Sequence, residues 1–142
     1  MKGLSSFLLL VFLSNCSNHY KSDVNEIKAI MDKQAVCWSN GDIEGYMDGY
    51  WKSDSLRFLG RRGITKGWKT TLDNYKKSYP NQKEMGRLRF NYISFEPLTN
   101  DQMFVVGKWT IEREKDTICG YYSLLWKKFD SKKWKVIFDH TD

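Results

Sequence analysis

Trp134-Lys135-Val136-Ile137-Phe138-Asp139-His140-Thr141, near the carboxyl end of the sequence, decides how the rest is read. At a period of two, Trp134, Val136, Phe138 and His140 share one side, and Lys135, Ile137, Asp139 and Thr141 the other. An apolar row ending in an imidazole predicts a strand whose covered face runs out of core and into a cavity. The same parity turns Asp139 away from His140 and argues against an aspartate–histidine dyad.

Three more long strands precede it. Residues 119–129 bring Gly120, Tyr122, Leu124 and Trp126 to one face, and residues 103–113 do the same for Met103, Val105, Gly107, Trp109 and Ile111. Residues 85–95 alternate Leu88, Phe90 and Tyr92 against Arg87, Arg89 and Asn91, then change phase at Ile93, which is what a β-bulge does. Two short strands, residues 56–59 and 64–66, flank a Gly60–Gly63 connection with Arg61 and Arg62 at its tip. Neighbouring strands with short loops pair antiparallel.

Helical periodicity fills the remainder. Asp23 reads as an N-cap with Glu26 in capping-box position, and Val24, Ile27, Met31, Ala35 and Trp38 form one apolar stripe up to Gly41. Asp42 caps a shorter helix in which Ile43, Tyr46, Met47, Tyr50 and Trp51 share a face, while Gly45 and Gly49 leave room for a neighbour on another side. A third helix, residues 68–79, turns Trp68, Leu72 and Tyr75 or Tyr79 inward and Lys69, Lys76 and Lys77 outward, and stops at Pro80. Helices placed before and between strands must cover one face of the sheet. The expected fold is therefore α+β: a strongly curved antiparallel sheet of about six strands, with three helices on its concave face, making a cone with one open end.

The 142 residues suffice for one domain and one core. An aromatic content of 15% is high, so the rings must fill a thick core or line a cavity. The net charge is +6, but the basic residues are scattered and form no nucleic-acid footprint. Cys37 and Cys119 lack metal spacing, and with two His in the chain no metal site or cofactor motif is evident. They read as two separate thiols, although an exported compartment would permit a disulfide between them.

The amino terminus carries Lys2, then an apolar run at residues 4–13 that is too short to span a bilayer, then Leu13-Ser14-Asn15-Cys16. This resembles a bacterial lipoprotein signal, with Asn15 departing from the usual small residue. The expected organisation is a signal peptide at 1–15, lipidation at Cys16, a tether at 16–23 and one domain at 24–142. An ordinary secretory signal or an undersized anchor is the alternative. Lipidation would place the protein in the cell envelope, exposed to the periplasm or the exterior and held to the membrane through Cys16.

The order of elements, with Trp38-Ser39-Asn40-Gly41-Asp42, Tyr50-Trp51, Gly67-Trp68, Gly107-Lys108-Trp109 and Trp134 through Thr141, resembles the nuclear-transport-factor-2-like superfamily. Within it the chain looks most like the SnoaL-like, ketosteroid-isomerase-like branch of unknown function. The resemblance implies the cone fold and a convex face that often forms a homodimer. Because this fold hosts isomerases, cyclases, hydrolases and non-catalytic modules, it implies no single reaction.

His140 is the candidate catalytic residue, a base near neutral pH or a donor to ligand. Trp38, Tyr50, Trp51, Trp109, Tyr122 and Trp126 are candidate pocket rings for a small, largely apolar ligand, and core packing explains each of them equally well. Three readings stay open: a ligand-binding domain, an acid–base enzyme using His140, and a non-catalytic dimerising envelope subunit.

Overall fold

The computed structural model describes residues 7–142, with side chains from residue 19 onward. The start of the expected leader, residues 1–6, and the side chain of Cys16 lie outside the described residues. Among the described residues no helix is long and apolar enough to cross a membrane.

The elements follow in the order α1 (Phe7–Ser39), α2 (Ile43–Met47), β1 (Arg57–Gly60), β2 (Gly63–Lys66), α3 (Trp68–Ser78), α4 (Gln82–Met85), β3 (Arg87–Thr99), β4 (Gln102–Glu112), β5 (Thr117–Lys128) and β6 (Trp134–Thr141). The six strands form one sheet in the order β2-β1-β6-β5-β4-β3. An antiparallel sheet was expected, and the strands joined by short loops do pair that way. The sheet also carries one parallel junction, between β1 and β6, because the long excursion through α3 and β3–β5 returns β6 beside β1 in the same direction. The phase change expected in β3 is present, as a register shift between Tyr92 and Ser94.

The core lies between the inner sheet face and the helices, around Ile27, Met31, Met47, Val105, Trp126 and Trp134. Gly45 in α2 and Gly49 just after it lie close against α1: a Cβ at Gly45 would stand 2.8 Å from Cys37 Sγ, and one at Gly49 only 2.4 Å from the Gln34 side chain. Asp42 caps α2 as expected, accepting from Gly45 N–H at 2.8 Å.

Asp23 does not cap a helix. It sits inside α1, is 6% exposed, and accepts from Lys128 Nζ at 2.7 Å and Trp134 Nε1 at 3.2 Å. Helix α1 runs unbroken through the residues expected to form a tether, and already at Tyr20 it touches the sheet, with the phenol donating to Phe95 O at 2.9 Å. Cys37 is half-buried and Cys119 exposed, as separate thiols.

Candidate functional site

The parity of β6 inverts partway along. Leu125 pairs with Phe138 but its neighbour Trp126 pairs with Val136, so Ile137 is an extra residue in the strand. The cause lies on the other edge. Val136 bridges Tyr50, whereas Phe138 to His140 pair with β1, so β6 changes partner at Ile137 and bulges there. Beyond the bulge Asp139 faces inward and is 2% exposed, while His140 pairs with Ser123 on the outer face and is exposed.

A cavity of about 820 Å³ opens between the inner sheet face and helices α1–α3. Asp139 lines it, together with Tyr46 and Tyr50 from α2 and the residues just after it, and Tyr75 from α3. Tyr50 Oη donates to Asp139 Oδ2 at 2.6 Å, and Thr141 Oγ1 donates to Asp139 Oδ1 at 2.5 Å. The Tyr46 and Tyr50 hydroxyls are 3.2 Å apart, and since Tyr50 spends its proton on the carboxylate, Tyr46 must donate to Tyr50. The result is a directed chain, Tyr46 to Tyr50 to Asp139. Trp38 braces it, meeting Tyr46 edge-on at 5.1 Å and fixed by its own N–H to Met85 O at 2.9 Å.

Burial pushes the Asp139 carboxyl up to about 6, against the opposing effect of the Thr141 and Tyr50 hydrogen bonds. Burial also raises Tyr46, Tyr50 and Tyr75 above the ordinary phenol range, and the nearby Asp139 charge adds to it, so all three stay neutral donors. The group therefore offers one carboxyl titrating near neutrality beside phenols that do not ionise. Such a set can hold a polar atom or exchange a proton with one. Two further polar atoms on the cavity's sheet wall, Trp109 Nε1 and Tyr122 Oη, are buried and have no protein partner. Among the described residues no group of three His, Cys, Asp or Glu is placed to hold a metal ion.

Among solved structures, an NTF-2-like protein of unknown function from Shewanella oneidensis MR-1 is 34% identical, with a TM-score of 0.80 over 84% of this chain and 98% of that one. The chain belongs to the NTF-2-like family. More distant structures share the fold alone. One is a cystatin-like-fold domain from Nostoc punctiforme at 15% identity, with a TM-score of 0.71 over 84% of this chain and 76% of that one. Another is a ketosteroid isomerase-like protein from Erwinia carotovora atroseptica at 15% identity, with a TM-score of 0.64 over 82% and 92%. No protein-family model matches the chain, and no curated protein matches it in sequence.

In this NTF-2-like chain, four of the six rings expected at a pocket line the cavity: Trp38, Tyr50, Trp109 and Tyr122. Trp51 does not; it stacks on Phe129 with centroids 5.5 Å apart, and Trp126 is sealed in the core at 0% exposure. His140 does not line the cavity either, because the bulge hands that position to Asp139. Lys77, expected to face outward, is among the cavity-lining residues. Sequence reasoning turned Asp139 away from the cavity, and it placed Tyr46, and Tyr75 or Tyr79, on inward faces as core without assigning them to the site. The available signal was the run Val136-Ile137-Phe138, three apolar residues that fit either parity and so mark a place where alternation can slip.

Proposed function

We propose that this NTF-2-like protein binds a small, largely apolar molecule in the aromatic cavity, with the Tyr46–Tyr50–Asp139 chain fixing the ligand's polar end. The single observation that carries this reading is a buried carboxyl, hydrogen-bonded to two hydroxyls, lining a ring-walled space of about 820 Å³. Ligand pockets are built this way, mostly apolar with a few convergent polar groups. The test is an NMR titration with neutral ring compounds bearing one carbonyl, following indole N–H resonances assigned with Trp109→Phe and Trp126→Phe. Saturable shifts at Trp109 with Trp126 still are expected. A panel that leaves Trp109 unmoved overturns the reading.

The neutral-range titration of Asp139 beside non-ionising phenols favours a second reading, in which it acts as general base on an acidic C–H of the bound molecule. Its signature is deuterium exchange from solvent into a carbonyl ligand's α-carbon, lost in Asp139→Asn. Binding without exchange would leave only the first reading.

The leader pattern at Leu13-Ser14-Asn15-Cys16 supports export and lipid anchoring at Cys16 in the cell envelope. Cys16→Ala is then expected in the soluble fraction; a variant still membrane-bound sinks that assignment. The outer sheet face supports a homodimer, since Phe104, Leu125 and Phe138 lie in adjacent paired positions there and remain part-exposed.

A further inference from the structure

The cavity is uneven in charge. Its inner end is phenols and one carboxyl, but most of its exposed lining comes from the β1–β2 turn and α3, with Cys119 and Asp142 as the other exposed residues. There Arg61, Arg62 and Lys77 supply three cations. Among the described residues none of the three is ion-paired; Arg62 reaches only Ser78 Oγ, at 3.4 Å.

The contrast within α3 is informative. Lys69 and Lys76, on its outer side, meet Asp73 and Glu44, each at 2.6 Å. Lys77, turned to the cavity, meets no carboxylate. The one acidic side chain among the exposed lining residues, Asp142, accepts on Oδ1 from Tyr121 N–H at 2.7 Å. Cations that share one mouth with no carboxylate in ion-pair distance repel one another, and guanidinium groups match carboxylate, sulfonate and phosphate in geometry.

Inside, the sheet wall holds the unpartnered Trp109 Nε1 and Tyr122 Oη, and Tyr122 is 4% exposed. A buried donor without an acceptor has lost its water and gained nothing in return, a cost that an acceptor atom of a ligand would remove. Tyr122 is held in this place by Gly107: a Cβ there would lie 2.1 Å from the hydroxyl.

Resting on the reading of the cavity as a ligand pocket, we propose that its occupant is an amphipathic organic anion. Its apolar, ring-sized body lies against the sheet wall, with an acceptor atom within reach of Trp109 and Tyr122. Its anionic group sits at the mouth with Arg61, Arg62 and Lys77.

Two fluorescent probes with the same ring system separate the anion from the cavity: anilinonaphthalene sulfonate and its neutral counterpart N-phenylnaphthylamine. Both are expected to bind and to shift the Trp109 indole resonance. The sulfonate should bind about tenfold more tightly at low ionic strength, a gap that narrows as salt screens the mouth. The triple variant Arg61→Gln, Arg62→Gln, Lys77→Gln, checked for folding by circular dichroism, should bring the affinity ratio close to one. Arg87→Gln, outside the cavity lining, should keep it. Equal affinities in the unaltered protein, or a gap that survives the triple variant, overturn the anion assignment alone. If neither probe moves the Trp109 resonance, the cavity reading fails and this inference with it.

Discussion

Asp139 is the residue on which the site turns, and its position makes a statement about stability. A carboxyl raised to about 6 in the fold, from an ordinary 3.8, binds more protons folded than unfolded between those values. Stability contributed by this group is thus present at acid pH and is lost as pH rises toward 6, by about 3 kcal/mol at most from a shift of this size. Asp139→Asn removes the titration. Subtracting its urea-derived stability from that of the unaltered protein should give a difference that falls across that window and is flat above it. A flat difference throughout would mean the carboxyl is not desolvated as described. Tyr50→Phe removes a donor to the ionised form, so the Asp139 carboxyl should titrate higher still, read from its carbon chemical shift. None of this was legible from parity alone, because Ile137 shifts the phase by one residue and exchanges the faces of Asp139 and His140.

At the scale of elements, helix α1 is held to the β5–β6 hairpin by a buried carboxylate. Asp23 binds Lys128 Nζ and Trp134 Nε1, partners 105 and 111 positions away. Asp23→Leu would leave an indole N–H unpaired and an ammonium with 19% exposure held only by Glu26 Oε2 at 3.9 Å. The expected cost is about 2–3 kcal/mol, less than for a fully buried pair because Lys128 keeps some solvent. Adding Lys128→Met should return part of that loss in urea unfolding; no return would mean that the ion pair is not what Asp23 supplies. The same residue shows where local reading stops. Asp23 with Glu26 three residues on is a sound capping pattern, and only a distant hairpin reveals that the aspartate is an anchor within a longer helix. Periodicity and the Gly, Pro and Asp turns located α3 and the middle of each strand, but they carried α2 on to Trp51 where the helix ends at Met47, and stopped β3 at Phe95 where it runs to Thr99. They missed α4, whose single turn is too short to show a period.

For the whole molecule, the inner face of the sheet is occupied by core and cavity, and the outer face carries a row that neither explains. Phe104 pairs with Leu125, and Leu125 with Phe138, so three apolar side chains stand side by side across β4, β5 and β6. All three are only part-buried although no polar residue separates them along the pairing direction. A contiguous apolar patch on one sheet face, with Ser123 and His140 beside it, suits a second copy of the chain, which would bring the same row to face it. Leu125 sits at the centre, so Leu125→Glu places a carboxylate where two copies would meet and should shift a sedimentation profile from dimer to monomer. Its effect on folding should stay within about 1 kcal/mol, because the side chain is outside the core. Lys66→Glu, on the exposed edge strand β2, should leave the profile unchanged. An unaltered protein that sediments as a monomer at all concentrations would assign the patch to some other role. It would leave the cavity reading intact, since every residue of the Tyr46–Tyr50–Asp139 chain comes from one copy.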